Sequence, residues 1–160
     1  MPSIVNKQDT TEYRFKDKCV RAELKFIGPN GKIPSRKRRS DAAYDIYAAE
    51  DVSIHPSTME SVHTDICLAV PEGWYFTVEG RSGLYRMGIQ PCHGIIDATY
   101  CGELVISLMN VSNKPYNVKI GDRIAQIIVH KQHHLDIDVV DEFSDEYNQR
   151  GTLGFGSSGR

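Results

Sequence analysis

Short runs of β-branched and aromatic residues, each ended by turn residues, constrain the fold of this chain most strongly. From Val20 onward the runs end at Gly, Pro, Asn or Asp, as in the turn segments 28–31 and 71–73. A turn about every ten residues is typical of an all-β domain. The predicted strands are residues 20–27, 44–48, 52–55, 61–70, 74–79, 104–111, and 124–130 continuing toward residue 140. Only residues 82–87 have the pattern of a short helix.

The length and composition fit one folded domain. Of the 160 residues, 40% are hydrophobic and 25% are charged, which are ordinary values for a globular protein. The 19 Lys+Arg against 21 Asp+Glu give a formal net charge of -2, so we expect no nucleic-acid partner held by a general basic field. The longest apolar runs, such as residues 124–129, are too short to span a membrane, so we expect no membrane association.

The cysteines and the N-terminal residues bear on the compartment. Residues 1–20 contain no apolar core of the kind that a secretory signal needs. The four cysteines are far apart and match neither a disulfide framework nor a zinc spacing. They are Cys19, Cys67, Cys92 and Cys101. We therefore expect free thiols in a reducing compartment, the cytoplasm, with the nucleus as the alternative.

The sequence predicts a β domain over residues 19–145 between two polar ends. Residues 1–18 are polar and weakly periodic, which predicts a flexible N-terminal arm. Residues 146–160 are rich in Gly and Ser, which predicts a mobile C-terminal tail. The basic run at residues 36–39 is short and has no interleaved aromatic residues, so a solvated loop is favoured over polyanion binding.

Two segments carry chemistry suited to phosphate. Residues 80–84 (Gly-Arg-Ser-Gly-Leu) follow a predicted strand and offer backbone N–H groups, a hydroxyl and a guanidinium. A simple β-turn is an equally good interpretation of this segment alone. In the tail, Arg150 and two serines could meet phosphate, and Phe155 could stack on a flat ring, which favours a ligand-closing lid over a linker.

Residues 94–103 predict an acid held at the edge of a pocket. Asp97 follows three uncharged residues on an expected β-hairpin, and Tyr100 lies three residues further along. In that position Asp97 could act as a general base on water, while Tyr100 could wall off a sugar or a base. A plain turn aspartate is the alternative interpretation.

Polar residues around the last predicted strand have ordinary structural explanations. Asp122 and Arg123 could pair at a turn. Gln126 is flanked by apolar residues, so its amide needs a hydrogen-bond partner. Three histidines follow closely, and they are His130, His133 and His134. In a strand the second of these faces away from the other two, so an exposed set is favoured over a metal site.

Taken in order, five blocks of this sequence resemble the five motifs of the trimeric deoxyuridine triphosphatases (dUTPases). The blocks extend roughly from residue 42 to the C-terminus, which makes the match far more specific than any single block. They are residues 42–46, 80–84, 94–103, 121–126 and 150–159.

The resemblance implies an assembly and a reaction. The implied assembly is a homotrimer of jelly-roll-like β-barrels with an exchanged C-terminal arm, in which all three subunits contribute to each active site. The implied reaction is hydrolysis of dUTP to dUMP and pyrophosphate, which keeps uracil out of DNA and supplies dUMP for dTTP synthesis. Mg²⁺ is the implied cofactor, held by substrate phosphates and water, with Asp45 as a contact through water.

The resemblance also implies roles for the third motif. Asp97 would activate the water that attacks the α-phosphorus. Tyr100 would pack against the deoxyribose and exclude a 2′-hydroxyl. Gly94 and Ile96 belong to the hairpin whose backbone groups would bind uracil.

The phosphate chain and the closing tail involve the other motifs. The residues implied to hold the phosphates are Arg81, Ser82, Gly83 and Gln126. Arg150 would take the γ-phosphate and Phe155 would stack on uracil, with Gly156 and Ser157 also contacting substrate.

Several positions depart from the family pattern. Ala43 stands where Gly is usual, Glu79-Gly80 where a small residue and Pro are common, Leu153 for a frequent Gly, and Ser158 for Thr. None of these changes removes a group with an assigned chemical role. A stiffer tail at Leu153 and a negative charge at Glu79 are expected to affect tail closure and substrate affinity.

Two other functions compete with the triphosphatase. Deamination of dCTP on the same fold would need groups aimed at C4 of the base. A nucleotide-sensing or partner-binding trimer would not need an acid such as Asp97. The Asp97 to Tyr100 spacing and the tail with Arg150 and Phe155 favour the triphosphatase.

Overall fold

The described part of the chain forms antiparallel β-sheets around one core. The computed structural model describes residues 20–146 of the chain and places strands β1 to β11 and helix α1 among them. In chain order these are β1 (Glu23–Phe26), β2 (Tyr44–Tyr47), β3 (Val52–Ile54), β4 (Met59–Val62), β5 (Ile66–Ala69), β6 (Trp74–Glu79), α1 (Ser82–Tyr85), β7 (Ile89–Pro91), β8 (Gly94–Asp97), β9 (Ile106–Asn110), β10 (Tyr116–Val118) and β11 (Arg123–Lys131).

Two larger sheets and two strand pairs make up the fold. The larger sheets have the orders β2-β11-β6-β8 and β4-β9-β7, and the pairs are β1-β5 and β3-β10. All of these pairings are antiparallel. The all-β prediction is therefore confirmed, and the arrangement is consistent with a jelly-roll-like barrel.

The longest strand, β11, aligns the residues that matter for the site. Gln126 in β11 lies opposite Asp45 in β2 on one side and opposite Glu79 in β6 on the other. This register places the C-terminal end of β6 across β11 from Asp45 in β2.

The hydrophobic core draws on both larger sheets. Phe76 and Ile124 from the four-stranded sheet and Ile106 and Leu108 from the three-stranded sheet are each at most 1% exposed. Burial of such a side chain stabilises the fold by about 1.5–3 kcal/mol. Asn110 is also buried, and its amide donates to two backbone carbonyls at 2.9 and 2.8 Å, so the core carries no unsatisfied amide there.

The single strand predicted over residues 61–70 is wrong, because two strands in different sheets occupy that segment. β4 pairs with β9, whereas β5 pairs with β1. Between them Asp65 has a left-handed φ of 57°. The N–H groups of Thr64 and Asp65 donate to the carboxylate of Glu103 at 3.2 and 3.0 Å instead of to a neighbouring strand. A side chain distant in sequence therefore ends the strand.

Three further expectations also need correction. β11 ends at Lys131, so residues 132–140 do not continue the strand as predicted. β7 and β10 were not predicted. The β-hairpin expected over residues 94–103 is not formed, because β8 pairs with β6 and the next strand, β9, pairs with β4 and β7.

The short helix predicted within residues 82–87 is confirmed as the four-residue α1. No helix within residues 20–146 is long and apolar enough to cross a membrane. The predicted N-terminal arm and residues 147–160 of the predicted C-terminal tail lie outside the described residues.

Candidate active site

One end of the four-stranded sheet carries two arginines around an aspartate. Asp45 lies in β2, Arg81 follows β6, and Arg123 begins β11. Asp45 Oδ1 accepts a hydrogen bond from Arg81 Nε at 2.8 Å, and Asp45 Oδ2 accepts one from Arg123 Nη1 at 3.2 Å. Arg81 Nη1 also donates to the Arg123 carbonyl at 3.2 Å. The three residues meet because β2 and β6 flank β11.

This arginine–aspartate cluster (Asp45, Arg81 and Arg123) orients one guanidinium and retains positive charge. The side chains of Asp45 and Arg81 are 18% and 24% exposed, so water screens this pair less than a fully exposed pair. One carboxylate offsets only one of the two guanidinium charges. Arg81 uses Nε and Nη1 in its described contacts, which leaves Nη2 for an anion.

Gln126 fixes the turn between β6 and α1. Its Nε2 donates to the Gly80 carbonyl at 2.7 Å, which is the partner that the sequence required. Gly80 is buried, and the ring of Tyr85 occupies the space that a Cβ at this position would need. Gly80, which stands where the family commonly has Pro, therefore leaves space for the Tyr85 ring of α1 to pack against this turn.

The negative charge of Glu79 has a local partner. Glu79 Oε1 lies 3.2 Å from Nδ1 of His93, in the segment that leads into β8. When His93 is protonated, its charge offsets the carboxylate, which reduces the repulsion expected between Glu79 and a bound phosphate.

The turn before β11 differs from the sequence interpretation. Asp122 accepts a hydrogen bond from the backbone N–H of Lys119 at 2.9 Å, while Arg123 pairs with Asp45. A pairing of Asp122 with Arg123 is therefore wrong. The contribution of Arg123 to the cluster was missed, because only the β2-β11 pairing brings it near Asp45.

A cleft of about 230 Å³ opens beside the cluster. Arg81 and Arg123 line one part of it, and Gly83 of α1 and Tyr116 of β10 line another. Burial raises the pKa of Tyr116, Asp122 raises it further, and Arg81 lowers it. Ser82 and Gly83 are both exposed at the start of α1, and Gly83 lines the cleft together with the Arg81 guanidinium.

The predicted acid and aromatic lie at the end of β8. The side chains of β8 alternate, so Ile95 and Asp97 are exposed, while Ile96 packs against the core. Any contact of Ile96 with a ligand would therefore use its backbone. Asp97 borders a second cleft, of about 560 Å³, together with Tyr75 and Thr99.

Tyr100 and Gly94 complete this side of the chain. Tyr100 is 44% exposed, and its hydroxyl donates to the Glu103 carbonyl at 2.8 Å. At Gly94, which is half-buried, the nearest atom to an added Cβ would be a methyl group of Val78 at 3.9 Å, so a Cβ would fit there in ordinary contact.

The described candidate residues fall into two groups rather than one. Asp97 lies opposite Tyr75 near the start of β6, whereas Arg81 follows the end of β6. The six steps along the chain from Tyr75 to Arg81 correspond to about 20 Å of extended chain. The fold brings Arg81, Gly83 and Gln126 to one end of β6 and leaves Asp97 at the other.

The histidines do not form a metal site in the described part of the chain. His130 Nε2 lies 3.0 Å from the Thr77 hydroxyl, and its ring stacks on Tyr75 at 5.0 Å. His133 and His134 are exposed, as expected, whereas His130 is half-buried, contrary to the expectation. Within residues 20–146 no group of three His, Cys, Asp or Glu side chains could hold a metal ion.

The tail residues predicted to bind substrate lie outside the described residues. They are Arg150, Phe155, Gly156 and Ser157. The departures at Leu153 and Ser158 also lie there.

Comparison with known proteins gives a consistent result. The dUTPase family model matches residues 29–159. The deoxyuridine 5'-triphosphate nucleotidohydrolase of Candida glabrata is 43% identical over 139 residues, covering 86% of this chain and 96% of that protein. A mutant dUTPase of Staphylococcus bacteriophage 80alpha with dUpNHpp has a TM-score of 0.81 and 27% identity, covering 88% of this chain and 99% of that chain. A mutant dUTPase of phage phi11 of S. aureus, described with a structural Mg(II) ion, has a TM-score of 0.72 and 25% identity, covering 77% and 98%.

Proposed function

The chain belongs to the dUTPase family and is a dUTP nucleotidohydrolase, and from this premise we propose how its residues perform the reaction. Asp97 accepts a proton from a water molecule as the water oxygen bonds to the α-phosphorus. The bond between the α-phosphorus and the bridging oxygen breaks, and pyrophosphate leaves. The products are dUMP and pyrophosphate.

The arginine–aspartate cluster is the observation that carries this proposal. Arg81 is oriented by Asp45 through Nε and retains Nη2 for a phosphate oxygen. Ser82 and the backbone at Gly83 are exposed beside it. Preorganised donors of this kind stabilise the charge that develops on phosphate oxygens, because they need little reorganisation during reaction.

Gln126 acts on the phosphate side through the turn that it holds. Its bond to the Gly80 carbonyl at 2.7 Å fixes the backbone that leads into Arg81 and Ser82. Because that amide nitrogen is already used, further contact with substrate would come from its other donor hydrogen or its oxygen.

The sugar and base are assigned to the segment at β8. Backbone groups from Gly94 to Ile96 bind uracil, which fits the packing of the Ile96 side chain against the core and the absence of a side chain at Gly94. The Tyr100 ring packs against the deoxyribose and leaves no space for a 2′-hydroxyl.

The site is completed by more than one copy of the chain. The separation of about 20 Å along β6 between Asp97 and Arg81 supports this assignment, since both must reach one α-phosphorus region. We assign a homotrimer with an exchanged C-terminal arm, in which Asp97 of one copy faces the arginine–aspartate cluster of another. In the tail, Arg150 binds the γ-phosphate, Phe155 covers uracil, and Gly156 and Ser157 add contacts.

Mg²⁺ enters this proposal as part of the substrate complex. The donor set fits that role, because residues 20–146 provide no cluster of three metal-binding side chains and Asp45 is shared by two guanidinium groups. Such a carboxylate suits contact through water rather than a direct bond. When bound, Mg²⁺ neutralises charge on the triphosphate.

The physiological role follows from the reaction. Removal of dUTP keeps uracil out of DNA, and the dUMP product supplies dTTP synthesis. We place the protein in the cytoplasm, with the nucleus as the alternative.

Pyrophosphate release with Mg²⁺ from dUTP, dCTP, dTTP and UTP tests the assignment, while ammonia is followed in the dCTP reaction. We expect release from dUTP alone, because the β8 segment selects uracil and Tyr100 excludes the ribose. Equal release from UTP would contradict the role of Tyr100. Ammonia from dCTP would indicate a deaminase, and no product from any substrate would favour a binding module.

A further inference from the structure

The bend between β4 and β5 is built around the side chain of Glu103. Glu103 Oε1 accepts hydrogen bonds from the backbone N–H groups of Thr64 at 3.2 Å and Asp65 at 3.0 Å. Glu103 Oε2 lies 2.8 Å from Nδ1 of His63. Both carboxylate oxygens are therefore used by three consecutive residues of the bend.

The backbone of Glu103 holds Tyr100. The Tyr100 hydroxyl donates to the Glu103 carbonyl oxygen at 2.8 Å, and the N–H of Val105 donates to the same oxygen at 3.1 Å. A Cβ on Gly102 would lie only 2.6 Å from the Tyr100 hydroxyl oxygen, so the ring folds back closely over this glycine. The position of the Tyr100 ring therefore depends on where the Glu103 backbone lies.

Independent contacts attach the same stretch of chain to the bend. The Thr64 hydroxyl donates to the Leu104 carbonyl, and the Leu104 N–H donates to the Ile66 carbonyl at 2.9 Å. Thr64 and Leu104 are 1% and 2% exposed. The Glu103 carboxylate therefore lies between a buried anchor and the exposed Tyr100.

We propose that Glu103 is a positioning residue for substrate specificity, which holds Tyr100 in the place where its ring rejects a 2′-hydroxyl. The bend at residues 63–65 fixes Glu103 through its carboxylate, and Glu103 fixes Tyr100 through its carbonyl. The inference rests on the proposed function, because that function assigns the sugar contact to Tyr100. It adds a determinant of sugar specificity that does not touch the substrate.

The charges around the bend favour an ionised Glu103. Burial opposes ionisation, but the hydrogen bonds from His63, Asp65 and Thr64 outweigh it and lower the pKa of Glu103. The bond to Glu103 raises the pKa of His63. Two other charged groups also raise the pKa of His63. They are Asp65 and Glu50, whose carboxylate accepts a hydrogen bond from the backbone N–H of His63 at 2.8 Å.

The test compares kcat/KM for dUTP and UTP in the full-length protein with Mg²⁺. Both nucleotides carry the same base and triphosphate, so effects on Asp97 or on phosphate binding largely cancel in their ratio. We expect Glu103→Ala to lower the dUTP preference by about tenfold, as the loss of one well-oriented contact allows. Glu103→Gln should retain most of the preference, because the amide oxygen can still accept from the bend.

A second variant tests the same contact without altering the bend. Tyr100→Phe removes only the hydroxyl, and we expect a similar loss of preference. Addition of Glu103→Ala to Tyr100→Phe should change the ratio by less than about twofold, because both act through one contact. Multiplication of the two losses in the double variant would overturn the inference. An unchanged ratio in Tyr100→Phe would also overturn it, even if Glu103→Ala did not fold.

Asp51→Asn is a matched control. Asp51 also accepts one side-chain hydrogen bond, from Lys119 at 2.8 Å, and one backbone hydrogen bond, from Ile120 at 2.9 Å. Asp51 belongs to neither group of site residues, so the Asp51→Asn variant should have the same dUTP preference as the wild type. A wild-type protein that hydrolyses dUTP and UTP equally well would refute the sugar contact that the proposed function assigns to Tyr100. A wild-type preference that survives Glu103→Ala would refute only the role of Glu103.

Discussion

The two ends of β6 differ in how far a single copy of the chain completes them. At the C-terminal end, Arg81 is held by Asp45 and the preceding turn by Gln126. At the N-terminal end, Asp97 is exposed, and its side chain makes no hydrogen bond or ion pair with other described residues. One copy thus orients the groups that are proposed to bind phosphate, whereas the proposed catalytic Asp97 is left without a partner among the described residues.

This difference agrees with the chemistry of each end. A phosphate-binding arginine gains from fixed orientation, because each guanidinium donor must point at a defined oxygen. A carboxylate that accepts a proton from water must lie within hydrogen-bond distance of a water molecule placed beside the α-phosphorus. Other groups have to hold the triphosphate in that position. The comparison predicts that the two ends respond differently to substitution.

Asp97→Asn should have the largest effect. The amide cannot accept the proton of the attacking water, so we expect pyrophosphate release from dUTP to fall about 10²–10⁴-fold. Binding of an α,β-imido analogue of dUTP, measured by calorimetry, should remain within a few-fold of wild type. Retained turnover would remove Asp97 from the mechanism, and lost binding would make it a substrate contact instead.

Mixed assemblies of two variants test whether Asp97 and Arg81 of one active site come from different copies of the chain. Asp97→Asn and Arg81→Ala chains, each nearly inactive alone, are unfolded and refolded together in equal amounts. If Asp97 and Arg81 of one site come from different copies, about one quarter of the sites are intact, and activity returns to about a quarter of wild type. Wild-type protein taken through the same refolding is the control. Activity no higher than that of the separate variants would show that each copy supplies both groups.

Arg81→Lys tests the prepared end with its charge retained. Lysine has only one side-chain nitrogen, Nζ. It therefore cannot donate to Asp45 from one nitrogen and to a phosphate oxygen from another, as arginine can. We expect kcat/KM for dUTP to fall about 10- to 100-fold, as measured by steady-state pyrophosphate release. Arg86→Lys, at the exposed arginine just after α1, should change it by less than about twofold. Equal effects of the two substitutions would contradict a fixed role for Arg81.

The smallest expected effect is the pH dependence of stability that comes from His63 in the bend at residues 63–65. Because the pKa of His63 is raised in the folded chain, its contribution to stability is fully present below pH 6.5 and disappears as pH rises through the folded-state pKa. The His63 side chain is 54% exposed, so water screens the pair and the contribution is at most about 0.5 kcal/mol. Urea unfolding of wild type and His63→Gln should therefore differ at pH 5.5 and converge above pH 8. A difference that grows with pH would contradict this pairing.

Several features of the site could be predicted from local sequence. The segments at residues 80–84 and 94–103 show their chemistry by composition, since Arg, Ser and Gly suit phosphate and an acid near a tyrosine suits a pocket edge. Gln126 was marked as needing a partner because an amide among apolar residues must be satisfied. The structure supplies that partner as the Gly80 carbonyl.

Other features depended on strand pairing, which local sequence does not encode. Arg123 joins Asp45 although the two residues are 78 positions apart, and the Glu103 carboxylate accepts a hydrogen bond from the bend at Asp65, 38 positions earlier. The first contact forms because β2 pairs with β11 in this register, and the second forms because the bend packs against Glu103.

By itself, the sequence determined the all-β class and the types of residue available for the reaction, because turn frequency and side-chain chemistry are local properties. The tertiary structure alone decided that Asp97 and Arg81 lie at opposite ends of β6, and that Glu103 connects Tyr100 to a buried bend. Distances between residues far apart in the chain depend on which strands pair and in which register, and many pairings satisfy the same pattern of hydrophobic runs.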